Sequence, residues 1–459
     1  MLDRLSRVGL AFALIAAGTP AALEAQATPT AATRLSVPYE AFTLPNGLHV
    51  ILHQDRSVPM VEVNVWYHVG SSRERPGRTG FAHLFEHLMF EGSGHVAEGL
   101  FDTLLEAAGG SNNGSTNTDR TNYYESLPSN ALDLALYLES DRMGYLLDVV
   151  TPQIVDSQRD IVKNERRERY ENAPYGKADL RLPELLYPKD HPYHWPPIGY
   201  MDDLSAATHE DVVDFFTRYY APGNASLVIA GDIDLAETRR RVEHWFGDVK
   251  AGAAVPPLQV PAAVLTSVVT ETLVDQVQLP RIYLAWLSPA QLAPGDAELD
   301  MLSGILTGGK NSRLYKRLVF DLQIAQDVSA AQYSALAGSM YVIAVTARPS
   351  DLSAEASLAR ITSIVDEELD RLRGEAPDER ELTRVRNGIE AAFFDSMETL
   401  AGKADQMNAY YMAAGNPDYF AEDLSRYQAL APSDIQAALR RWLPKDRRVE
   451  LSVVPEGAP

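Results

Sequence analysis

His83-Leu84-Phe85-Glu86-His87 lies within an apolar segment, residues 80–90, that is made of good helix formers and contains no proline. On a helix, residues four apart lie on one face, so His83 and His87 can bind the same metal ion. Glu86 borders that face, where its carboxylate reaches a water molecule on the metal without being a ligand. Two imidazoles beside a carboxylate are what a zinc hydrolase needs. Two ordinary helix histidines with an accidental glutamate would give the same five residues, so a third ligand is required.

The best candidate for that third ligand is Glu165. Thr151 followed by Pro152 is a typical helix start, an N-cap and then proline at the first helical position. The following residues, 152–172, are strongly charged and contain no glycine, which places Glu165 well inside a predicted helix. A catalytic zinc site takes three protein ligands and leaves the fourth position to water. Taken by itself, Glu165 could also be one more solvated carboxylate.

The order His-x-x-Glu-His, followed by Asn164-Glu165, resembles the insulinase/pitrilysin family of zinc peptidases, whose motif reverses the commoner His-Glu-x-x-His. The resemblance covers about residues 35 to 455. It implies that His83, His87 and Glu165 bind one Zn²⁺ per chain and that Glu86 is the general base.

The sequence departs from the family at position 158. Family members usually carry a second glutamate seven residues before the glutamate ligand, whereas this chain has Gln158. Glutamine can hydrogen-bond and orient a neighbour next to the metal ligands, but it adds no negative charge there. The departure affects the tuning of the predicted metal site, and metal binding itself is still expected.

A second segment, residues 109–124, resembles the family pattern Asn-Ala-x-Thr-x-x-Asp-x-Thr-x-Tyr, with glycine in place of alanine. In the family this segment is an edge strand beside the zinc, and the substrate backbone pairs with it. An exposed strand edge offers unpaired N–H and C=O groups to an extended peptide. A polar, glycine-rich loop is the alternative interpretation. The resemblance implies that the substrate-binding residues are Asn113, Gly114, Ser115 and Thr116.

Composition excludes several functions. The formal net charge is −22, which argues against nucleic-acid binding because phosphate backbones require Lys and Arg. The chain has no cysteine, so it has no disulfides, and a metal must be held by His, Asp or Glu. No segment after the N-terminal region is long and apolar enough to predict a membrane span in the mature protein.

The N-terminus is typical of a secretory signal peptide. A short basic region is followed by an apolar run over residues 8–18 and by Ala25-Gln26-Ala27, which predicts a signal peptide over residues 1–27 with cleavage near Ala27. A mitochondrial presequence is the alternative, and Asp3 and Glu24 weaken it. We therefore expect an exported, periplasmic protein.

The remainder predicts an α+β protein of two homologous domains, each a mainly antiparallel sheet packed against helices. The first is expected over residues 35–248 and the second over residues 265–456, joined by an Ala- and Pro-rich linker, residues 249–264. The ends of the two halves resemble each other: a helix (209–220; from 433) precedes a strand (225–232; 449–454), and Asp211 and Arg218 match Asp434 and Arg441. Further strands are expected at 47–53, 61–65, 273–277 and 281–287, and further helices at 131–147 and from 297.

The second half lacks two residues that many family members supply to the active site. An arginine and a tyrosine are expected in a pattern like Ser-Arg-Leu-x-x-x-Leu-Arg-x-x-x-Gly-Leu-Ala-Tyr, and here these positions are Val319 and Gln326. Such donors stabilise the developing oxyanion, and one lost contact costs ~10²–10³ in rate. The family includes two-chain enzymes, so we expect a heterodimer whose homologous partner chain carries the Arg/Tyr pair. A homodimer with altered chemistry, or a shifted register that uses Tyr315 and Arg317, are the alternatives.

Taken together, these features predict the zinc-carrying subunit of an exported metalloendopeptidase, which hydrolyses peptides or unfolded segments. The rival hypothesis is a non-catalytic assembly or binding subunit of the same fold.

Overall fold

The computed structural model describes residues 35–457. The signal peptide that we expect over residues 1–27 therefore lies outside the described residues. The described part contains two β-sheets, each packed against helices, and the predicted α+β fold with two related halves is confirmed.

The first sheet has six strands in the order β1-β2-β6-β3-β5-β4. Only β2 and β6 run parallel, and every other neighbouring pair is antiparallel. Strand β4 is therefore an edge strand. The strands are β1 (Glu40–Thr43), β2 (His49–Gln54), β3 (Met60–Tyr67), β4 (Ser111–Thr116), β5 (Thr121–Pro128) and β6 (Ala225–Gly231).

The second sheet repeats this arrangement with five strands in the order β7-β11-β8-β10-β9. Here too one pair, β7 with β11, is parallel and the rest are antiparallel. The order matches β2-β6-β3-β5-β4 strand for strand, so the two halves share one topology. The strands are β7 (Val269–Asp275), β8 (Arg281–Ser288), β9 (Ala325–Tyr333), β10 (Ser339–Ala347) and β11 (Val449–Pro455).

Fourteen α-helices accompany the sheets in the described residues, and their apolar faces fill a separate core in each half. The first half contains α1 (Phe81–Leu88), α2 (Leu100–Ala107), α3 (Leu132–Tyr145), α4 (Pro152–Arg166), α5 (Gly176–Leu186), α6 (Met201–Ala206), α7 (His209–Tyr219) and α8 (Leu235–Phe246). The second contains α9 (Asp296–Thr307), α10 (Ala354–Gly374), α11 (Glu379–Ser396), α12 (Leu400–Ala414), α13 (Phe420–Gln428) and α14 (Pro432–Trp442).

None of the helices within residues 35–457 combines the length and the apolar character that crossing a bilayer requires.

The repeated aspartates begin equivalent helices. Asp211 is the third residue of α7, and its carboxylate accepts the backbone N–H of Thr208 at 3.2 Å. Asp434 is the third residue of α14 and accepts the backbone N–H of Ala431 at 2.8 Å. A carboxylate at this position satisfies an N–H that the helix leaves without a partner. The matched residues therefore reflect one capping arrangement used twice.

Several boundaries differ from the prediction. Strand β7 begins four residues before the predicted strand at 273, because it pairs in parallel with β11 along its whole length. Helix α4 ends at Arg166 and continues as a π-helical turn, Arg167–Glu171. The sequence analysis also gave no prediction for α2, α5, α6, α8 and α10 to α13. Residues 249–264 contain no regular helix or strand.

Each half places a helix on the sheet of the other half. Helix α12 packs on β3 and β6 of the first sheet, and α5 packs on β7, β8 and β11 of the second. Asn408 of α12 is fully buried, donates to the carbonyl of Asn64 at 3.0 Å and accepts from the Ser226 hydroxyl at 2.7 Å. The two halves therefore hold each other through buried polar contacts.

We expect Asn408→Ala to lower the free energy of unfolding by about 1–3 kcal/mol, because it leaves buried polar groups on β3 and β6 without partners. Denaturant titration followed by circular dichroism measures the change. Asn311→Ala, at an exposed position, is the matched control. Equal stability of both variants would contradict a structural role for this contact.

Candidate metal centre

Helix α1, which carries the predicted zinc motif, is only eight residues long. A helix this short does not persist alone in water, so tertiary contacts must hold it. Its apolar side chains supply one kind of contact, since Phe81, Leu84, Phe85 and Leu88 are at most 2% exposed and belong to the first core.

The start of α1 is held by Glu74, a residue that sequence reasoning missed. No side chain of its own caps the helix, because the residue before it is Gly80. The buried carboxylate of Glu74 instead accepts the N–H of Gly80 at 2.9 Å and of Ala82 at 2.8 Å. Burial raises the pKa of Glu74 to about 8, and these N–H bonds oppose that rise. A carboxylate at this position also interacts favourably with the helix dipole.

A close approach between the backbones of two glycines also holds the start of α1. Gly80 (φ +89°) and Gly199 (φ +74°) are both left-handed, and a Cβ added to Gly199 would lie 2.4 Å from Cα of Gly80. Only glycine fits at this contact without displacing the backbone. The loop that ends at Gly199 therefore positions the first turn of α1.

The structure brings the three predicted ligands together. Nε2 of His83 and Nε2 of His87 lie 3.7 Å and 3.2 Å from Oε2 of Glu165. All three ligand atoms lie within 4.8 Å of one another, and this is the one such group of His, Asp or Glu among residues 35–457. Two imidazole nitrogens and one carboxylate oxygen form the ligand set of a catalytic zinc site. The donor chemistry and the spacing therefore fit Zn²⁺.

The environment of the ligands suits metal binding. Burial lowers the pKa of His83 to about 4, which keeps its imidazole neutral and its lone pair available. The hydrogen bond with His87 lowers the pKa of Glu165, and Arg169 donates to the other oxygen of Glu165 at 2.8 Å. Arg169 belongs to the π-helical turn, and such turns occur frequently at functional sites. No group in the described residues bonds Nδ1 of His83.

Glu86 stands beside the ligands without being one of them. It is half-buried, and burial raises the pKa of its carboxylate, while the Thr116 hydroxyl hydrogen-bonds it and lowers that pKa. Thr116 is the last residue of β4. Glu86 therefore connects the metal-binding face of α1 to the edge strand, where a substrate is expected.

Gln158 contacts neither histidine. Its side-chain amide donates to Oε1 of Glu91 at 2.6 Å, and it is 6% exposed. Glu91 follows His87 by four residues and lies near it, since the charge of His87 lowers the pKa of Glu91 against the larger effect of burial. The side chain of Gln158 is therefore linked to the neighbourhood of His87 through Glu91, a residue that the sequence analysis did not single out.

The hydrogen-bond pattern of the β4–β5 hairpin shows which backbone groups face outward. At its turn, the N–H of Asn117 donates to the carbonyl of Arg120 at 2.9 Å. Opposite residues in an antiparallel pair alternate between bonded and non-bonded. Asn117 and Arg120 form a bonded pair, so Thr116 and Gly114, one and three residues before Asn117, belong to non-bonded pairs. The backbone N–H and C=O groups of Thr116 and Gly114 therefore point away from β5, to the free edge of the sheet.

The predicted substrate residues lie along this edge. The outward N–H of Gly114 is met at 2.8 Å by the side-chain oxygen of Asn113. The side chain of Ser115 lies on the opposite face of the sheet from Gly114, and its hydroxyl donates to the side-chain oxygen of Asn122 at 2.7 Å. A Cβ at Gly114 would lie 3.2 Å from the Tyr123 ring, so alanine would fit there only after small shifts.

Family models match both halves of the chain. The model described as insulinase (peptidase family M16) matches residues 49–186, and that of the peptidase M16 inactive domain matches residues 206–389. The zinc protease PqqE of Helicobacter pylori is 30% identical over 371 residues, which cover 79% of this chain and 80% of that protein. The chain belongs to the insulinase (M16) peptidase family. A Streptomyces coelicolor relative named an uncharacterized zinc protease is 24% identical over 90% of this chain and 88% of its own.

Solved structures of M16 proteins share the fold. A protease from Helicobacter pylori superposes with a TM-score of 0.84 at 27% identity, and the match covers 91% of this chain and all of that one. The periplasmic protease PqqL of Escherichia coli gives a TM-score of 0.74 at 19% identity, over 92% of this chain and 48% of that one. The second likeness shows the fold alone.

We expect Glu74→Gln to weaken zinc binding about 10–100-fold, because the first turn of α1 loses one N–H acceptor and the imidazoles lose their fixed positions. Competition with a chromophoric zinc chelator measures the affinity. The control is Glu106→Gln, which makes the same chemical change at an exposed position on α2. Unchanged affinity in Glu74→Gln would show that the apolar contacts of α1 suffice.

Proposed function

We propose that this protein is a zinc metallopeptidase that hydrolyses peptides or unfolded segments. The observation that carries the proposal is the convergence of His83, His87 and Glu165 on one point, with Glu86 between that point and the free edge of β4. The names of the family relatives, zinc proteases, support the same activity.

The residues divide the chemistry between them. Zinc held by His83, His87 and Glu165 would polarise the scissile carbonyl and lower the pKa of a water molecule toward ~7. The carboxylate of Glu86 accepts the proton of the attacking water and passes it to the leaving amine nitrogen. The Thr116 hydroxyl hydrogen-bonds the Glu86 carboxylate and so links the general base to the edge strand β4.

The edge of β4 holds the substrate in an extended conformation. A peptide added as a further strand would pair with the outward N–H and C=O groups of Gly114 and Thr116. Its carbonyl would replace the Asn113 side chain at the N–H of Gly114. Because these contacts are to backbone groups, they tolerate many sequences but require an extended chain, which favours short or unfolded substrates over folded proteins.

Export to the periplasm is part of the proposal. It rests on the predicted signal peptide, residues 1–27, and the related PqqL of Escherichia coli is titled a periplasmic protease.

A homologous partner chain is proposed to supply the missing arginine and tyrosine. Val319 is 8% exposed and belongs to the second core, and Gln326 lies exposed on β9. Arg317, the alternative arginine, is ion-paired with Glu367 and, at 2.6 Å, with Glu368. The guanidinium of Arg317 is therefore already engaged, which favours a donor from a second chain.

The zinc-loaded chain, with and without a homologous chain that carries the Arg/Tyr pattern, tests both proposals on a quenched fluorescent peptide library. We expect turnover with the partner, and a loss of about 10²–10⁴-fold in Glu86→Gln because the general base is removed while the ligands remain. Zinc content measured on the same samples must be equal.

Turnover by the zinc-loaded chain alone would refute the need for a partner chain. Stoichiometric zinc without Glu86-dependent turnover under either condition would favour the non-catalytic assembly or binding subunit.

Gly114→Pro tests the substrate strand, because proline removes the outward N–H. We expect kcat/KM to fall about tenfold, the effect of one hydrogen bond lost in the transition state. Gly114→Ala introduces a Cβ but keeps the N–H, and it should retain most activity. An equal loss in both variants would attribute the effect to crowding against Tyr123 and not to the hydrogen bond.

A further inference from the structure

A cavity of about 290 Å³ lies between the first sheet and the first turn of α12. Ser115 of β4 lines the cavity, whereas the preceding residue, Gly114, faces Phe90 next to α1. Successive residues of a strand point to opposite faces of the sheet, so the cavity lies on the face opposite α1. Its polar lining includes Glu62, Asn64, Ser115, Arg120, Asn122, Tyr124 and Asp405.

Two buried oxygens of the lining have no hydrogen-bond partner in the described residues. They are Oε1 of Glu62 and Oδ1 of Asn64, on side chains that are 1% and 2% exposed. The two residues are two apart on β3 and therefore share a face. Burying such an oxygen without a partner is costly, so two of them in one cavity indicate a ligand that accepts lone pairs, which is either a hydrogen-bond donor or a metal cation.

Asp405 adds a third oxygen donor from the other half of the chain. Its Oδ1 accepts the Trp66 indole N–H at 3.2 Å and the side-chain amides of Asn122 at 3.3 Å and Asn64 at 3.5 Å. These donors fix the carboxylate over β3. No donor within residues 35–457 bonds Oδ2, which remains available to the cavity.

The charges of the lining favour a cation. Burial raises the pKa of Glu62 to about 7, the hydrogen bond that the Ser126 hydroxyl donates to its other oxygen opposes that rise, and the charge of Asp405 adds to it. Arg120 is the cationic residue of the lining, but its Nη1 is bonded to the hydroxyl and carbonyl of Ser115 at 2.6 and 2.8 Å. Its charge faces Asp405 and Glu86. Two carboxylates thus oppose one guanidinium, and Glu62 has no counter-charge.

We propose that this cavity binds a divalent cation through oxygen ligands, with Ca²⁺ preferred, held by Glu62, Asn64 and Asp405. Carboxylates and an amide carbonyl are calcium ligands, and the absence of nitrogen or sulfur donors disfavours transition metals. The volume leaves room for several waters at ~30 Å³ each to complete six to eight ligands. The strict octahedron of Mg²⁺ suits three donors on two separate elements less well.

The site joins the two halves. Glu62 and Asn64 belong to β3 of the first sheet, and Asp405 belongs to α12 of the second half. A bound cation would therefore stabilise the packing of α12 on the sheet whose edge strand is β4. With two carboxylate ligands we expect a dissociation constant of ~10⁻⁴–10⁻³ M, the weak end of protein calcium sites.

Thermal unfolding of the zinc-loaded protein, in buffer freed of calcium on a chelating resin, is the first measurement. We expect Ca²⁺ at ~100-fold its dissociation constant to raise Tm by a few degrees. Mg²⁺ should act more weakly, and inorganic phosphate should have no effect. The calcium response should strengthen as the pH rises through about 7, where Glu62 loses its proton beside the charged side chains of Asp405 on α12 and Arg120 after β4.

Three variants assign the response to the cavity. Glu62→Gln and Asp405→Asn should abolish the calcium-induced shift, and Asp405→Asn keeps the oxygen that accepts three N–H groups. Without calcium, Glu62→Gln should melt no lower than the wild type, because a buried carboxylate is replaced by a neutral amide. Glu106→Gln, on exposed α2, should respond like the wild type.

Terbium provides an independent readout, since Trp66 lies against Asp405 and can sensitise a lanthanide in the cavity. We expect tryptophan-sensitised terbium luminescence that calcium displaces and that Trp66→Phe removes. The proposal is overturned if calcium leaves Tm unchanged, if Glu62→Gln and Asp405→Asn respond like the wild type, or if phosphate stabilises instead, which would make the cavity an anion site centred on Arg120.

Discussion

The metal centre depends on how the first turn of α1 is held. The N-terminus of a helix leaves N–H groups without partners, and α1 has glycine where a capping side chain would stand. Glu74 meets two of these N–H groups from the preceding loop, in a site from which water is excluded. A displaced first turn would rotate His83 and His87 away from Glu165. The loop before α1 is therefore as necessary to the metal site as the histidines are.

The reacting groups come from three elements that a single sheet edge brings together. Helix α1 contributes the imidazoles and Glu86, α4 contributes Glu165, and β4 contributes Thr116 and the open backbone groups. Because β4 is the last strand of its sheet, no neighbouring strand pairs with its outward groups, and the Asn113 side chain bonds one of them. An edge that would be an aggregation hazard on another protein is, in the proposed function, the template for an extended substrate.

The packing of α12, from the second half, covers the face of the first sheet that lies away from the metal-binding helix. Its contact with β3 and β6 is polar: Asn408 and Asp405 hydrogen-bond four residues of the first half. Beside this contact, Oε1 of Glu62 and Oδ1 of Asn64 are buried without a hydrogen-bond partner in the described residues. The same packing makes the first sheet sensitive to what binds near α12.

The sequence by itself determined the elements that depend on short spacings. The four-residue interval between His83 and His87 places both on one helix face, Thr151-Pro152 begins α4, and the repeated helix-to-strand ends indicate two related sheets. The interpretation of residues 113–116 as an edge strand also needed only the local pattern and the family resemblance.

Only the tertiary structure decided the contacts between residues far apart in the chain. The capping of α1 by Glu74, the contact of Gly80 with Gly199, the bond between Gln158 and Glu91, and the packing of α12 on β3 join segments whose separation no periodicity encodes. The missed start of β7 has the same cause, since its partner β11 lies about 180 residues later and parallel pairing sets its length. Periodicity reports which face of an element is buried, whereas the partner that buries it is chosen by the packing of the whole chain.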